Sequence, residues 1–149
     1  MADTIDITQA ANMELATFYI GKSLYGIDIM NIQEINKHFE VTKVPQAADY
    51  IIGILNLRGK IVTILDIGKK IGLSHIEKSK DNRNIIIKSQ DEYIGLLVDS
   101  ISDVVIADKN SLEPAPSNLG GLEGKFFSCV LKTEKALIGI LNIEEVLKD

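Results

Sequence analysis

Residues 51–67 read IIGILNLRGKIVTILDI, with two apolar runs flanking the short segment Asn56-Leu57-Arg58-Gly59. The runs Gly53–Leu57 and Lys60–Asp66 are rich in β-branched side chains, and the glycine between them supplies the positive-φ position of a tight turn. The pattern therefore predicts a hairpin with Arg58 at its tip. No nucleophile, histidine or set of metal ligands accompanies the arginine in this stretch.

Isoleucine dominates the apolar residues on both sides of this hairpin. The chain of 149 residues contains 24 Ile and 8 Val, and 46% of its residues are hydrophobic and 25% charged. Since β-branched side chains lose rotamer freedom in helices and pack well on a pleated surface, this composition favours strands. About ten short strands separated by turns are typical of small barrels. We predict an all-β fold of two packed five-stranded barrels with short helices; a seven-stranded sandwich is the structural alternative.

The charged segment at residues 73–84 is the best candidate for a boundary between two halves. Residues 1–13 are polar and aperiodic, and we predict a flexible arm there. The remainder, 14–149, is predicted to be one domain. Its first barrel covers roughly 14–72 and its second roughly 84–142.

Shorter elements are predicted between and after the strands. Residues 31–45 are interpreted as an extended, bent segment that ends at Pro45. Ala47–Ile51 is predicted to form a short helix, and Asp66–Ile71 a helical turn that Gly72 stops. The two prolines of Glu113–Leu119 exclude that segment from the centre of a sheet. The chain closes with a helix at residues 143–148, which Asn142 caps.

The bulk charge argues against several classes of function. The formal net charge is −5, and no block of Lys and Arg is present to neutralise phosphates, so nucleic acid is an improbable partner. No apolar run approaches the ~20 residues of a membrane span, and the acidic N-terminus does not resemble a secretory signal. Cys129 is the single cysteine, interpreted as a small buried hydrophobe. These features predict a cytoplasmic protein.

No constellation of catalytic side chains is present in the sequence. The two histidines, His38 and His75, are interpreted as solvated surface residues, and no spacing typical of a zinc site occurs. Asp99 and Asp103 would lie roughly 13 Å apart on a strand, too far to share one substrate bond, so we interpret them as a turn residue and an exposed strand residue. We predict no catalytic residue, no metal site and no cofactor. Exposed Ile, Val and Leu near a few charges are typical of protein–protein contact surfaces.

The order of four motifs resembles the CheW family of chemotaxis coupling proteins. They are TFYIGKSLYGIDIMNIQEI, VTKVPQAADYIIGILNLRGKIVTILDI, IGLLVDSISDVVIADKNSLEPAP and LIGILNIEEVL, beginning at residues 17, 41, 94 and 137. NLRG and VDSISDV are the most specific pieces, and the resemblance runs from about Ala16 to Leu147. It implies a double SH3-like barrel without catalytic activity. It also implies two partners, the cytoplasmic tip of a chemoreceptor and the regulatory domain of the CheA histidine kinase, and ring assemblies within receptor arrays.

The resemblance also implies site residues. The receptor tip, a helical hairpin, would lie in a groove between the barrels, with an apolar floor edged by polar residues. Its expected contacts are Ile32, Glu34, Asn56, Arg58, Ile85, Ile101 and Val104. The expected kinase contacts lie on turns of the first barrel, at Lys43, Val44 and Gly53.

Several alternatives stay open at this stage. Arg58 either pairs with Glu34 and shapes the wall of the groove, or binds a receptor side chain directly. The apolar groove residues can each instead be ordinary core residues, and Gly53 can simply let two strands approach closely. At the level of function, the alternatives are an adaptor of a non-motility receptor–kinase pathway and a small-ligand sensor using the cleft between the barrels.

Overall fold

A computed structural model describes residues 12–148, and almost all of its regular structure is strand. The predicted flexible arm falls mainly on residues 1–11, outside the described residues. Its last two positions are wrong: Asn12 and Met13 begin the first strand, where they pair with Asp108 and Ala107. The thirteen strands of residues 12–148 are β1 (Asn12–Ile20), β2 (Ser23–Asp28), β3 (Ile32–Asn36), β4 (Ile51–Leu57), β5 (Lys60–Asp66), β6 (Arg83–Ser89), β7 (Glu92–Val98), β8 (Ser100–Asp108), β9 (Leu112–Pro114), β10 (Asn118–Leu119), β11 (Leu122–Glu123), β12 (Phe127–Lys132) and β13 (Leu137–Leu141).

Helices are few and short in the described residues. They are α1 (Ile67–Ile71) and α2 (Ile143–Leu147), with 3-10 turns at Ile29–Asn31, Lys109–Ser111 and Gly124–Phe126. α2 follows its predicted cap, since the Asn142 side chain accepts from the Glu145 N–H, and α1 ends at Gly72 as predicted. The Asp66 side chain accepts from the Lys69 N–H, and Gly72 ends α1 with φ 105°.

The strands form two large sheets and one small ribbon. The terminal barrel has the order β8-β1-β2-β13-β12-β9, and the central barrel has the order β3-β6-β7-β5-β4; β10 and β11 pair only with each other. This architecture confirms the predicted mainly-β class. The central barrel has the predicted five strands, whereas the terminal barrel has a sixth, β9. That strand contains Pro114 and lies at a sheet edge, where proline is tolerated.

The predicted division of the chain into consecutive halves is wrong. β1 and β2 belong with β8 and β13, while β6 and β7 belong with β3 to β5. Two parallel pairings, β5 with β7 and β13 with β2, bring strands from both halves of the chain into each barrel. Parallel strands require a crossover connection, so reasoning from neighbouring hairpins cannot find them. The loop at 73–82 therefore does not separate the two barrels. It connects α1, which follows β5, to β6, and both of these strands belong to the central barrel.

The buried side chains form three clusters. One fills the terminal barrel around Leu15, Ile138 and Ile140. A second fills the central barrel around Val62, Ile64 and Ile86. The third and largest lies between the two sheets, and we call it the shared layer. It combines Phe18, Ile20, Tyr25 and Ile27 of the terminal barrel with Ile85, Ile87, Leu96 and Val98 of the central barrel.

Strand β6 illustrates why the shared layer needs so much isoleucine. Successive side chains on a strand point to opposite faces. Ile86 therefore packs into the central barrel, while Ile85 and Ile87 pack into the shared layer. All three are at most 1% exposed. A strand buried on both faces reads as a continuous apolar run.

The segment that joins β3 to β4 departs partly from prediction. It is extended and bent, as predicted, and Thr42 forms a β-bridge with Ile54. The predicted helix at Ala47–Ile51 is wrong, because residues 45–50 make turns and Ile51 already pairs with Leu65. The Tyr50 carbonyl accepts from the Asp66 N–H at 2.7 Å, so sheet pairing replaces the helical hydrogen bonds.

Candidate protein-binding surfaces

The predicted hairpin is present, and its tip is a two-residue turn. Leu57 lies opposite Lys60, and the intervening Arg58 and Gly59 have φ values of 52° and 84°. Two consecutive positive φ angles are the signature of a type I′ turn, whose twist matches that of the flanking strands. The Asn56 side chain accepts from the Gly59 N–H at 2.8 Å. Asn56 is exposed, and its side chain stabilises the turn. The turn holds Arg58 away from the sheet.

Arg58 donates a hydrogen bond to the Glu34 carboxylate, so the first of the two alternatives for this arginine is observed. The Arg58 side chain is 70% exposed and that of Glu34 only 25%. Glu34 lies on β3 opposite Ile86, and thus faces the mouth of the central barrel. A cavity of about 140 Å³ at this mouth is lined by both residues. The exposed guanidinium keeps further donors for a partner.

The apolar residues predicted for the groove fall into two groups. Ile32 and Ile101 are half-buried against the shared layer, one from each barrel, and so mark the seam between the barrels. Val104 is 60% exposed on the edge strand β8. Ile85 is fully buried, and its prediction as a surface contact is wrong. Its side chain belongs to the shared layer because β6 is covered on both faces.

Two exposed apolar side chains extend this set. Ile35 on β3, which pairs with Ile85 on β6, is 40% exposed, and Ile106 on β8 is 68% exposed. On β8, Val104 and Ile106 lie opposite Ala16 and Glu14 of β1. Glu14, Ala16 and Phe18 alternate along β1, so Val104 and Ile106 lie on the face of the sheet that carries Phe18 and the shared layer. We call Ile32, Ile35, Ile101, Val104 and Ile106 the seam strip. Ile106 follows Val104 by two residues, so strand alternation is the sequence signal that could have found it. Ile35 follows Ile32 by three residues, and only the irregular pairing between Ile32 and Glu34 brings both to the same side of β3.

The three predicted kinase contacts also differ in their exposure. Lys43 and Val44 are exposed on the segment before β4. Gly53 is buried, and a Cβ atom there would lie 2.6 Å from the Thr42 carbonyl oxygen. Thr42 and Ile54 exchange two backbone hydrogen bonds of 2.8 Å. Gly53 therefore allows this close approach and is not a surface contact, so its prediction as a direct contact is wrong.

A cavity opens beside Lys43 at the end of the central barrel. Its volume is about 800 Å³, and it is mainly apolar. Phe39, Val41 and Ile52 line it above Ile64 and Leu97 of the barrel core. Phe39 is 42% exposed at this edge. Sequence reasoning missed this cavity because its walls come from five separate segments of the chain.

A match to a family model covers residues 14–149, and its description is CheW-like domain. The chain belongs to the CheW family. The Helicobacter pylori protein "Chemotaxis protein CheW" is 29% identical over 136 residues, which cover 91% of this chain and 82% of the relative. The Bacillus subtilis protein of the same description is 28% identical over 134 residues, which cover 90% of this chain and 86% of the relative.

A solved structure supports the same assignment. The crystal structure of the scaffolding protein TtCheW from Thermoanaerobacter tengcongensis superimposes with a TM-score of 0.86 at 34% identity. The match covers 92% of this chain and 88% of that chain. The two barrels are thus the two SH3-like subdomains of the CheW fold. The chain is a member of a family of chemotaxis scaffold proteins.

Three polar residues of this CheW family member make contacts that fix turns and loops. His75 is largely exposed, as predicted, but its Nδ1 lies 3.2 Å from the buried Asp66 carboxylate. Asp66 also accepts from the Ile76 N–H at 2.9 Å, so one carboxylate anchors both α1 and the following loop. Asp99 accepts from the Gly21 N–H at 2.6 Å, which ties the turn after β1 to the turn after β7.

Two tyrosines of the CheW-like domain have perturbed acidities. Lys60 donates a 2.7 Å hydrogen bond to the Tyr93 hydroxyl, and this bond lowers the pKa of Tyr93. Burial raises the pKa of Tyr25, which packs between Phe18 and Phe127 in the shared layer. Within residues 12–148, no three His, Cys, Asp or Glu side chains are grouped to hold a metal ion. None of the helices there has the length and apolar character to cross a bilayer.

Proposed function

We propose that this chain is a non-enzymatic adaptor that couples the cytoplasmic tips of chemoreceptors to the CheA histidine kinase. In this role it binds both proteins and regulates kinase activity within signalling arrays. The observation that carries the proposal is the seam strip, an exposed apolar surface on a member of the CheW family. Exposed apolar side chains rimmed by polar groups are typical of protein-binding sites.

The receptor hairpin is proposed to lie along the seam strip. An amphipathic helix presents apolar side chains at intervals of three and four residues, which suits a narrow row of Ile and Val. β3 carries Ile32 and Ile35 of this strip and also Glu34, the partner of Arg58. The exposed guanidinium therefore stands beside the strip, where it binds polar groups of the hairpin.

The kinase regulatory domain is proposed to bind the other end of the central barrel. Lys43 and Val44 are exposed there, next to the cavity that Phe39 and Ile52 line. On β4, the bridge at Ile54 and the turn at Arg58 are four residues apart, which corresponds to roughly 13 Å of strand. The two proposed surfaces therefore meet the central barrel at different places and share no side chains.

Binding to receptor tips would place the chain in the cytoplasm, at membrane receptor arrays. Alternating copies of this chain and the kinase regulatory domain are proposed to close into rings. An adaptor serving a pathway other than motility would use the same two surfaces, so only the identity of the partners separates it from the first proposal.

Co-sedimentation tests the coupling directly. A receptor signalling tip is assembled into sedimenting particles, and the kinase is added with and without this chain. We expect the chain to sediment with the tip and to bring the kinase with it. If the chain binds neither partner, the proposal is wrong.

A small-ligand sensor is the second candidate, because a cavity of about 630 Å³ lies at the seam. Leu73 and His75 line one wall, and Tyr25, Leu119 and Leu137 line the other. None of the residues predicted for receptor binding lines this cavity. A native mass spectrum with one stoichiometric small molecule would favour the sensor over the adaptor.

A further inference from the structure

A series of hydrogen-bonded polar side chains leads from Arg58 along β3 to the neighbouring strand β6. The guanidinium binds one oxygen of the Glu34 carboxylate. The other oxygen accepts from the Asn36 side-chain amide at 3.0 Å. Glu34 is thus held between an exposed cation and an amide of its own strand, and its orientation depends on where that amide points.

Asn84 determines the orientation of the Asn36 amide. It lies opposite Asn36 in the pairing of β3 with β6, and it is fully buried. Its Nδ2 donates to the Asn36 Oδ1 at 3.3 Å and to the His38 carbonyl at 2.8 Å. The same Asn36 oxygen accepts from the His38 N–H at 3.2 Å. With its oxygen occupied in this way, Asn36 turns its own N–H groups toward Glu34.

The second hydrogen bond of Asn84 holds a different part of the surface. The His38 carbonyl belongs to the segment that continues to the Thr42 bridge and then to Lys43 and Val44. One buried amide therefore fastens the start of the proposed kinase surface and, through Asn36 and Glu34, the Arg58 guanidinium of the proposed receptor surface.

The surroundings of Asn84 make a mere packing role a poor explanation. It directly precedes three buried isoleucines on β6, and its neighbour across the sheet on β7 is the core residue Leu97. Its own Oδ1 is buried and accepts no hydrogen bond within residues 12–148. A buried polar group with an unmet acceptor is unfavourable compared with an apolar side chain, unless its remaining hydrogen bonds serve a purpose.

We infer that Asn84 is a positioning residue for both partner surfaces, an inference that rests on the proposed function. It contacts neither partner. Its two N–H groups set the direction of the Glu34–Arg58 pair on one side and the path of the segment at 38–44 on the other. Loss of these N–H groups should therefore weaken the binding of both partners at once.

Asn84→Asp is the appropriate variant, because it keeps the shape of the side chain and replaces the donor with an oxygen. Asn82→Asp is a matched control. Asn82 is also buried, and it also donates to a backbone carbonyl, that of Asp99 at 3.2 Å. It does not touch Glu34, so it reports the cost of the same chemical change for the Arg58 signal and for receptor binding. Asn82 lines the same cavity as Phe39 and Lys43, and kinase binding is therefore compared with that of the wild-type chain.

Two measurements on the full chain are compared between these variants. The first is the NMR signal of the Arg58 Nε–H group, which is easily assigned because the chain has only two arginines, Arg58 and Arg83. The second is the affinity for a soluble receptor hairpin and, separately, for the kinase regulatory domain. We expect Asn84→Asp to shift the Arg58 signal, to weaken receptor affinity about fivefold relative to Asn82→Asp, and to weaken kinase affinity about fivefold relative to the wild type, as the loss of one or two hydrogen bonds predicts.

The NMR measurement separates this inference from the proposed function, because it needs no partner. An Arg58 signal that is the same in Asn84→Asp and Asn82→Asp would overturn the inference even if both partners bind. A receptor affinity equal to that of Asn82→Asp, or a kinase affinity equal to that of the wild type, would overturn it as well. If no partner binds the wild-type chain, the proposed function fails, and the Arg58 signal alone still decides whether Asn84 positions the ion pair.

Asn36→Ala provides a second variant should Asn84→Asp fail to fold. It removes the link between Asn84 and Glu34 but leaves the bond from Asn84 to the His38 carbonyl. We expect the Arg58 signal to shift and the receptor affinity to fall about threefold to fivefold. Kinase affinity should fall by less than in Asn84→Asp, because the segment at 38–44 loses only the bond from the His38 N–H to Asn36. An unshifted Arg58 signal would overturn the inference.

Discussion

Glu34 and Arg58 join the two open edges of the central sheet. Glu34 lies on β3 and Arg58 directly follows β4, and these are the outermost strands of the order β3-β6-β7-β5-β4. The Thr42–Ile54 bridge connects the chain after β3 to β4 a few residues away. The five-stranded sheet is thereby closed at two points, and the proposed receptor and kinase surfaces lie beside these two closures.

Replacement of the arginine tests the first closure. We expect Arg58→Ala to weaken the assembly of receptor tip, chain and kinase about fivefold to tenfold, because the exposed guanidinium and the orientation of Glu34 are both lost. Exposed ion pairs are worth little to stability, so the free energy of unfolding should change by at most about 1 kcal/mol. Co-sedimentation and urea denaturation measure the two effects.

Lys132→Ala is the control for this substitution. Lys132 is 73% exposed and pairs with Glu113 on the terminal barrel, away from both proposed surfaces. Assembly that is equally strong with Arg58→Ala and Lys132→Ala would show that Arg58 has no role in it.

A charge placed in the seam strip tests the receptor surface. Val104→Asp should reduce affinity for a receptor hairpin at least about tenfold, because the new carboxylate would be buried without a partner against apolar helix side chains. Leu137→Asp is the control, since Leu137 is 44% exposed but lies on β13, which β1 and β2 separate from β8. Isothermal titration of both variants gives the comparison, and an equal loss in both would argue against the strip as the binding site.

The glycine at 53 is predicted to matter for stability. Gly53→Ala would place a methyl group 2.6 Å from the Thr42 carbonyl oxygen, which belongs to the backbone and cannot easily move. We expect a loss of about 1–3 kcal/mol in the free energy of unfolding, as is usual for overpacked sites. Gly21→Ala, which meets nothing within 4 Å but has φ 62°, measures the cost of the left-handed conformation alone. A Gly53→Ala protein as stable as the wild type would contradict the close packing of these two segments.

The acidity of Tyr93 provides a prediction about pH. Because Lys60 lowers the pKa of Tyr93, the folded chain releases this proton below the pH at which the unfolded chain does. The folded state then binds fewer protons in that window, and stability increases with pH there; the contribution is lost as the pH falls through the folded pKa. Tyr25 behaves in the opposite way, since burial raises its pKa and its contribution is lost as the pH rises through that folded value.

Ultraviolet absorbance at alkaline pH measures these ionisations. Lys60→Met should move the pKa of Tyr93 back toward its ordinary value and leave Tyr25 unchanged. An unaltered titration of Tyr93 in this variant would contradict the hydrogen bond between the two side chains.

Local features of the fold could be predicted from sequence, whereas long-range pairings could not. The hairpin at residues 51–66, the stop at Gly72 and the cap at Asn142 each depend on neighbouring residues, and all are present. The pairing of β5 with β7 depends on a crossover, and only the folded chain reveals it.

The same distinction applies to the candidate site. Arg58 is exposed as predicted, because its position follows from the turn. Ile85 was predicted as a surface contact but is buried, and its neighbour Ile35, which was not predicted, is exposed, because exposure depends on what covers each face of a strand. For β6 that cover is the terminal barrel, whose first strands lie more than 50 residues earlier in the chain.

The central claim is that the chain carries two separate surfaces, the seam strip for the receptor hairpin and the end of the central barrel around Lys43 and Val44 for the kinase. Methyl NMR tests it most directly, since isoleucine and valine methyl groups lie in both surfaces. We expect an unlabelled receptor hairpin to perturb the methyl signals of Ile101, Val104 and Ile106 and to leave those of Val41, Val44 and Ile52 unchanged, with the reverse pattern for the kinase regulatory domain. Perturbation of one common set of methyl groups by both partners, or of neither set by the hairpin, would contradict the account.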